Sequence, residues 1–256
     1  MNKQILIEKS GGILQIRFNR PKRKNALTME MYTLLSETIN RAEHDPDVRT
    51  IVFLGSEGNF SSGNDINQAP GQPAPNSPSP PLLFITSLAR STVPIIAGVD
   101  GVAVGIGATM LLHIDSVFIT PGARLIMPFI NLALVPEAGS SMILPRLLGY
   151  TRAADLLLNG QPVDGHRAFE LGLATQVVDA DVLESTVLGA AEKFSKLPVN
   201  SIRQTKRLLK GDIEPLLDRM HIEERLLLSC ATSAEQGAAL AALAEKRPPN
   251  FSDVQH

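Results

Sequence analysis

Apolar and polar residues alternate from the start of the chain. Ile5 and Ile7 are followed by Leu14, Ile16 and Phe18 set against Gln15, Arg17 and Asn19, with Gly11-Gly12 between the two runs. A period of two broken by a glycine pair predicts a β-hairpin over residues 2–9 and 12–19. After Pro21 the period lengthens. Met31, Leu34, Leu35, Thr38, Ile39 and Ala42 share one helical face, Thr28 stands where an N-cap belongs, and Asp45-Pro46 ends the run. Residues 50–55 read as the next strand. Val93, Ile95, Ile96 and Ala97 form an unbroken apolar run, as in a strand buried on both faces. Glycines 98, 101, 105 and 107 then lead into a small-residue segment, 108–112, of helical character. Strands are expected at 117–120 and 124–127, punctuated by Pro121-Gly122 and Pro128, and Pro136-Glu137 is expected to begin a helix.

Beyond Tyr150 the pattern turns helical. Thr151 is expected to cap a helix ending at Asn159-Gly160, and Asp164 one ending at Gly172, before a short strand over 173–178. Amphipathic stretches follow at 181–197, 201–210 and 213–231, and Ser233 with Gln236 forms a capping box for a last Ala-rich helix running to Lys246. The division expected is a core over 1–197 and a helical region over 198–256.

One stretch obeys neither period. Residues 69–81 contain the run PGQPAPNSPSPP, with six prolines and no charge, a loop without regular structure. Its position leaves two readings open: a lid over a binding site, or a surface linker.

Composition narrows the function. The 256 residues carry 24 Lys and Arg against 26 Asp and Glu, a net charge of −2, with charges interspersed. Nothing in this balance indicates a nucleic acid or an anionic membrane as partner. A single cysteine, Cys230, excludes an internal disulfide, and the start MNKQILIEKS has no signal-peptide core. A cytoplasmic location is expected. The five histidines are scattered and form no metal-ligand set; His113, in an apolar segment, reads as a core residue.

The chemistry is concentrated around the glycines. A buried strand passing through a glycine-rich turn into a helix leaves unpaired N–H groups at the helix start, a place for an anion or for charge that exists only in a transition state. The spacing is not G-x-G-x-x-G, and no Lys-Ser/Thr follows, so neither a dinucleotide fingerprint nor a P-loop is present. A second small-residue loop, Phe60-Ser61-Ser62-Gly63-Asn64-Asp65-Ile66, follows the strand at 50–55. Each loop can give one N–H to the same oxygen.

FSSGNDI followed some forty residues later by GVAVGIGATMLLHID, with NRPKRKNALT near the start and EKRPPNF near the end, resembles the crotonase (enoyl-CoA hydratase/isomerase) superfamily over essentially the whole chain. The resemblance implies an α/β fold, a ββα superhelix with a C-terminal helical region that makes trimer contacts. It implies that the backbone N–H groups of Asn64 and Ile106 hold a thioester oxygen, with Gly105 permitting close approach. Ser62, Gly63, Asp65, Ile66, Phe129 and Leu132 are implied to line the substrate. Asp65 also has a simpler reading, as the cap of the turn that follows it. The basic cluster Lys22, Arg23 and Lys24 reads by itself as a solvated loop; the resemblance brings Lys22 and Arg23 to the adenine and phosphates of coenzyme A. Near the C-terminus Lys246, Arg247 and Phe251 either reach coenzyme A across a subunit boundary or cap the last helix.

Hydratases of this superfamily use two glutamates to activate water. The matching positions here are Thr109 and Phe129, neither of which titrates near neutrality. Glu137 remains. By itself it reads as an acid favoured in the first turn of a helix; the resemblance makes its Pro-Glu-x-Gly setting that of enzymes that shift a double bond, with Ser140-Ser141 close enough to orient it. The expectation is a 3-enoyl-CoA to 2-enoyl-CoA isomerase of fatty-acid β-oxidation. Coenzyme A enters only as part of the substrate, with no other cofactor and no metal, and the assembly expected is a homotrimer or a dimer of trimers. A hydratase or other enolate-forming enzyme, and a non-catalytic binding protein, are the alternatives.

Overall fold

The computed structural model describes residues 3–65, 78–252 and 254. The hairpin forms as expected from β1 (Ile5–Ser10) and β2 (Ile13–Phe18), which pair antiparallel. α1 (Met29–His44) is capped by Thr28, whose side chain accepts the Met31 N–H at 3.3 Å. β3 (Thr50–Leu54) adds to β2 in parallel. α2 (Pro80–Arg90) starts with Pro at its first position, where a missing N–H costs nothing. β4 (Ile95–Val99), a sharp corner and β5 (Val102–Val104) lead into α3 (Ile106–Thr109), continued by a 3-10 turn at Met110–His113. The same strand, corner, strand unit recurs as β6 (Ser116–Ile119) and β7 (Arg124–Ile126), followed by a 3-10 turn at Ile130–Leu132.

Each unit therefore places its first strand in one sheet and its second in another. The larger sheet has the order β1-β2-β3-β4-β6-β9, β9 being Gln176–Val177, and is parallel from β2 onward; the smaller has β5-β7-β8, β8 being Val163–Asp164. This stepping of β-units about one core is the spiral of the crotonase fold. α4 (Ser140–Leu148), α5 (Tyr150–Asn159), β8 (Val163–Asp164), α6 (Gly165–Glu170), β9 (Gln176–Val177) and α7 (Leu183–Ser195) complete the spiral. α8 (Val199–Lys210), α9 (Glu214–Cys230) and α10 (Ala234–Ala244) follow.

The continuous apolar strands are explained by what covers the sheet. In β3, Ile51 and Phe53 face the main core with α1 and α2, whereas Val52 and Leu54 face α7 through Leu183, Val187 and Ala191. A strand covered on both faces needs no polar side. Phe18, Phe53, Phe60, Phe84 and Tyr32 interlock in the main core at ring separations of 5.4–6.4 Å. The helices after residue 198 are tied in by ions. Lys206, 5% exposed, donates to Asp115 at 2.6 Å and to the Val93 carbonyl at 2.7 Å, while Lys210 donates to the carbonyls of Leu88, Ala89 and Ser91.

Several boundaries differ from expectation. The strand expected at 173–178 shrinks to Gln176–Val177, and α5 begins at Tyr150 with Gly149 as its N-cap, so Thr151 lies inside the first turn. The difference that matters lies at Pro136-Glu137. No helix starts there: α4 begins only at Ser140, because Ala138 (φ 62°) and Gly139 (φ 73°) hold the chain in the left-handed region. Most of the proline-rich segment, with Ile66, falls outside the described residues; its last prolines, Pro80 and Pro81, form the first turn of α2.

Candidate active site

The first small-residue loop is stitched to a neighbour on both sides of Asn64. Leu27 donates to the Gly63 carbonyl at 2.8 Å and accepts from Asp65 N–H at 2.9 Å. With those groups turned toward Leu27, the Asn64 N–H points the other way, and it has no acceptor among the described residues. The Asn64 side chain is held by Tyr32, whose buried hydroxyl donates to Oδ1 at 2.5 Å. Burial, and then the charge of Glu137, push the Tyr32 phenol well above its usual range, so Tyr32 stays a neutral donor.

The second loop lies against the first. Ser61 donates to Val102 and accepts from Val104, both at 2.9 Å, and the Gly105 N–H is taken by Ile126 at 2.8 Å. At Gly63 a Cβ would stand 2.5 Å from the Val104 carbonyl oxygen, and at Gly107 one would stand 2.7 Å from that of Ser61. Only glycine lets the loops approach this closely. Gly105, the N-cap of α3, accepts from Ala108 and Thr109. The Ile106 N–H at the helix start has no acceptor among the described residues. Two free N–H groups on two packed loops are thus the feature the sequence pointed to.

Glu137 faces the same place. Its Oε1 lies 4.0 Å from where a Gly105 Cβ would be. Glu137, Asn64 and Ile106 line one cavity, otherwise walled mainly by apolar groups such as Leu82, Ile85 and Leu227. No donor among the described residues reaches the Glu137 carboxyl. By surface area the residue is half-buried, opening on the cavity, whose walls are mainly apolar. Burial, reinforced by the nearby charge of Glu223, pushes it up to about 8. Ser140 acts on the main chain here: its Oγ donates to the Glu137 carbonyl at 2.6 Å.

A second cavity adjoins the first at Asn64, which lines both. Arg23, Ser62, Asp65, Leu132 and Arg247 line it. Arg23 and Arg247 thus line one cavity of a single chain, so Arg247 reaches it without crossing a subunit boundary. Lys22 is exposed and lines neither cavity. Asp65 is engaged by Arg20, whose guanidinium donates to Oδ2 at 2.7 Å and to the Ala26 carbonyl at 2.6 Å. Phe129 is buried and lines neither cavity; Phe84 belongs to the aromatic core, while Leu82 lines the first cavity. Thr109 is fully buried and its hydroxyl turns back to the Gly105 carbonyl at 3.3 Å.

Sequence reasoning missed Tyr32, Arg20 and Glu223. Glu223, 4% exposed, comes from α9 and accepts the N–H groups of Gly139 at 2.6 Å and Ser141 at 3.0 Å. The one available signal was a carboxylate on the apolar stripe Leu216, Met220, Leu227. His113, expected as a core residue, is buried, with Nε2 2.8 Å from the Ala138 carbonyl oxygen. Burial lowers it to about 4, so it is neutral near pH 7 and Nε2–H is the donor.

Comparison with known proteins bears on this arrangement. The model of the enoyl-CoA hydratase/isomerase family matches residues 8–255. Enoyl-CoA delta isomerase 2 of Rattus norvegicus is 34% identical over 241 residues, which are 92% of this chain and 61% of that protein. The chain thus spans about three fifths of the rat relative. The 1,2-epoxyphenylacetyl-CoA isomerase of Escherichia coli K12 is 30% identical over 256 residues, 97% of this chain and 98% of that one. The crystal structure of an enoyl-CoA hydratase/isomerase from Pseudoalteromonas atlantica T6c superposes with a TM-score of 0.93 at 35% identity, covering 98% of this chain and 100% of that one.

Proposed function

The chain belongs to the enoyl-CoA hydratase/isomerase family, and within that family of acyl-CoA enzymes we propose that it moves a carbon–carbon double bond, converting a 3-enoyl-CoA to the conjugated 2-enoyl-CoA. The observation that carries this reading is the Glu137 carboxyl, which meets no hydrogen-bond donor among the described residues, in a largely apolar cavity shared with two N–H groups that have no acceptor among those residues; the other carboxylate lining that cavity, Glu224, accepts the Ser79 N–H at 3.0 Å. An allylic shift needs one base that takes a proton from C2 and returns it at C4, and a place for the negative charge in between.

In this reading the ionised Glu137 removes the C2 proton. The electrons move onto the thioester oxygen, which the Asn64 and Ile106 N–H groups hold as an enolate; one such donor is typically worth about 3–4 kcal/mol of barrier. The protonated Glu137 then delivers the same proton to C4 as the carbonyl re-forms. A carboxyl raised toward neutrality suits both halves, since it neither holds nor refuses the proton strongly. Water addition finds less support. Thr109 and Phe129 are buried and cannot ionise, Glu223 lines neither cavity and gives both oxygens to backbone N–H groups, and Glu224, which does line the first cavity, is engaged by the Ser79 N–H through Oε1 at 3.0 Å. The second cavity, with Arg23 and Arg247, fits the anionic coenzyme A moiety, and Asn64 at the junction is where the thioester would lie. Exposed Leu208 and Leu209 on α8 and Leu226 on α9 support association of the chain with itself as a trimer or dimer of trimers, and fatty-acid breakdown is the setting this chemistry fits.

The test is product analysis of the purified protein given, separately, a 3-enoyl-CoA and a 2-enoyl-CoA. Conversion of the first to 2-enoyl-CoA, without 3-hydroxyacyl-CoA from the second, is the expected result. Hydration of the second, or no reaction with the first, overturns the reading.

A further inference from the structure

Glu137 stands just outside a helix whose N-terminus is already taken. α4 begins at Ser140, and its N-cap, Gly139, has no side chain to offer the unpaired N–H groups of the first turn. Glu223, 84 residues further along the chain, supplies the missing acceptor: Oε2 takes the Gly139 N–H at 2.6 Å and Oε1 the Ser141 N–H at 3.0 Å. A helix N-terminus is where a carboxylate finds both donors and a positive field. A Glu137 placed there would be tethered by those donors and turned from the cavity. The loop between is fixed as well, by His113 on the Ala138 carbonyl and Ser140 on that of Glu137.

We propose that Glu223 is a positioning residue for Glu137: by occupying the N-terminus of α4 it keeps Glu137 out of that helix end, so that the Glu137 carboxyl faces the cavity without donors and near a second negative charge. The proposal rests on the reading of Glu137 as the proton carrier and adds a carboxylate that never touches substrate. The other titratable or charged groups around the pair are Tyr32 from α1, His113 from the turn after α3, and Arg219 and Glu224 from α9. Tyr32 and His113 are neutral at pH 7, as argued above. Removing the Glu223 charge acts on Glu137 in one direction by two routes, since it deletes a like charge and uncovers the positive helix end; both favour the ionised form.

The experiment is a ¹³C-carboxyl NMR titration of protein labelled at glutamate, with the Glu137 resonance assigned by its loss in Glu137→Gln. In Glu223→Gln the Glu137 midpoint is expected to fall by about one pH unit or more, and the acid limb of kcat/KM to move with it. Glu223→Asp keeps the charge but draws it back by one methylene, and shifts the midpoint the same way by less, about half a unit. A merely structural Glu223 would lower the melting temperature and leave the midpoint in place. An unmoved midpoint in Glu223→Gln, or in Glu223→Asp should the Gln variant not fold, overturns the proposal. Activity separates the two readings. Isomerase activity retained in Glu137→Gln removes the proton-carrier role while the titration comparison still decides what Glu223 does; activity lost there with an unmoved midpoint removes only the role of Glu223.

Discussion

Raising the pH from 6 to 9 should switch this enzyme on. In the proposed reaction only the ionised carboxylate accepts the C2 proton, and burial with the neighbouring Glu223 charge pushes Glu137 up to about 8. The ionised fraction then climbs from about 1% at pH 6 to about 90% at pH 9, so kcat/KM rises nearly ~100-fold with a limb of unit slope. A glutamate at its usual value of 4.5 would already be ionised at pH 6 and give a flat profile. The assay is the initial rate of 2-enoyl thioester formation from a 3-enoyl-CoA, well below KM, across that range in buffers of constant ionic strength. kcat/KM reports the free enzyme, which is the state described here. In Glu137→Gln the limb should vanish and the rate at pH 9 fall by about 10²–10⁴-fold, the usual worth of a general acid–base group. A flat parent profile would refute the argument that burial governs this carboxyl, and a limb that survives in Glu137→Gln would refute the assignment of the base.

The same shift predicts an inverted stability effect. An acid whose folded pKa is raised destabilises the fold as pH climbs from its unfolded value toward about 8, because the unfolded chain gives up the proton first. Glu137→Gln should therefore match the parent near pH 4.5 and exceed it at pH 9, by no more than about 5 kcal/mol and by less where cavity water reaches the carboxyl; urea midpoints at the two pH values check this. Lys206→Met should cost about 2–3 kcal/mol, since it leaves Asp115 without its buried cation and the Val93 carbonyl without its donor; equal midpoints would mean that the ionic tie is replaceable by packing. Arg247→Ala should raise KM for an acyl-CoA about 10-fold with kcat within twofold, and the parent's KM should be the more salt-sensitive of the two. A fall in kcat with unchanged KM would place Arg247 elsewhere than on the coenzyme A moiety.

What the sequence determined by itself is what depends on neighbours along the chain. Alternation at Leu14, Ile16 and Phe18, the helical stripe from Met31 to Ala42, and the caps Thr28, Asp164 and Ser233 are short-range patterns, and each appears in the structure. The glycines at 63, 105 and 107 similarly marked both loops, because close backbone approach and positive φ leave glycine as the residue that fits. Tertiary structure decided which groups the loops and helix ends meet. Pro136-Glu137 carries the local signature of a helix start, yet the chain turns through Ala138 and Gly139 and gives that helix end to Glu223, a partner 84 residues away. Tyr32 on Asn64 and Arg20 on Asp65 are likewise contacts across 32 and 45 residues. A carboxylate's protonation depends on solvent exclusion and on charges within a few ångströms. Both are properties of the packed chain, so the family resemblance could point to Glu137 while only the fold gives its carboxyl an enclosed place on the cavity.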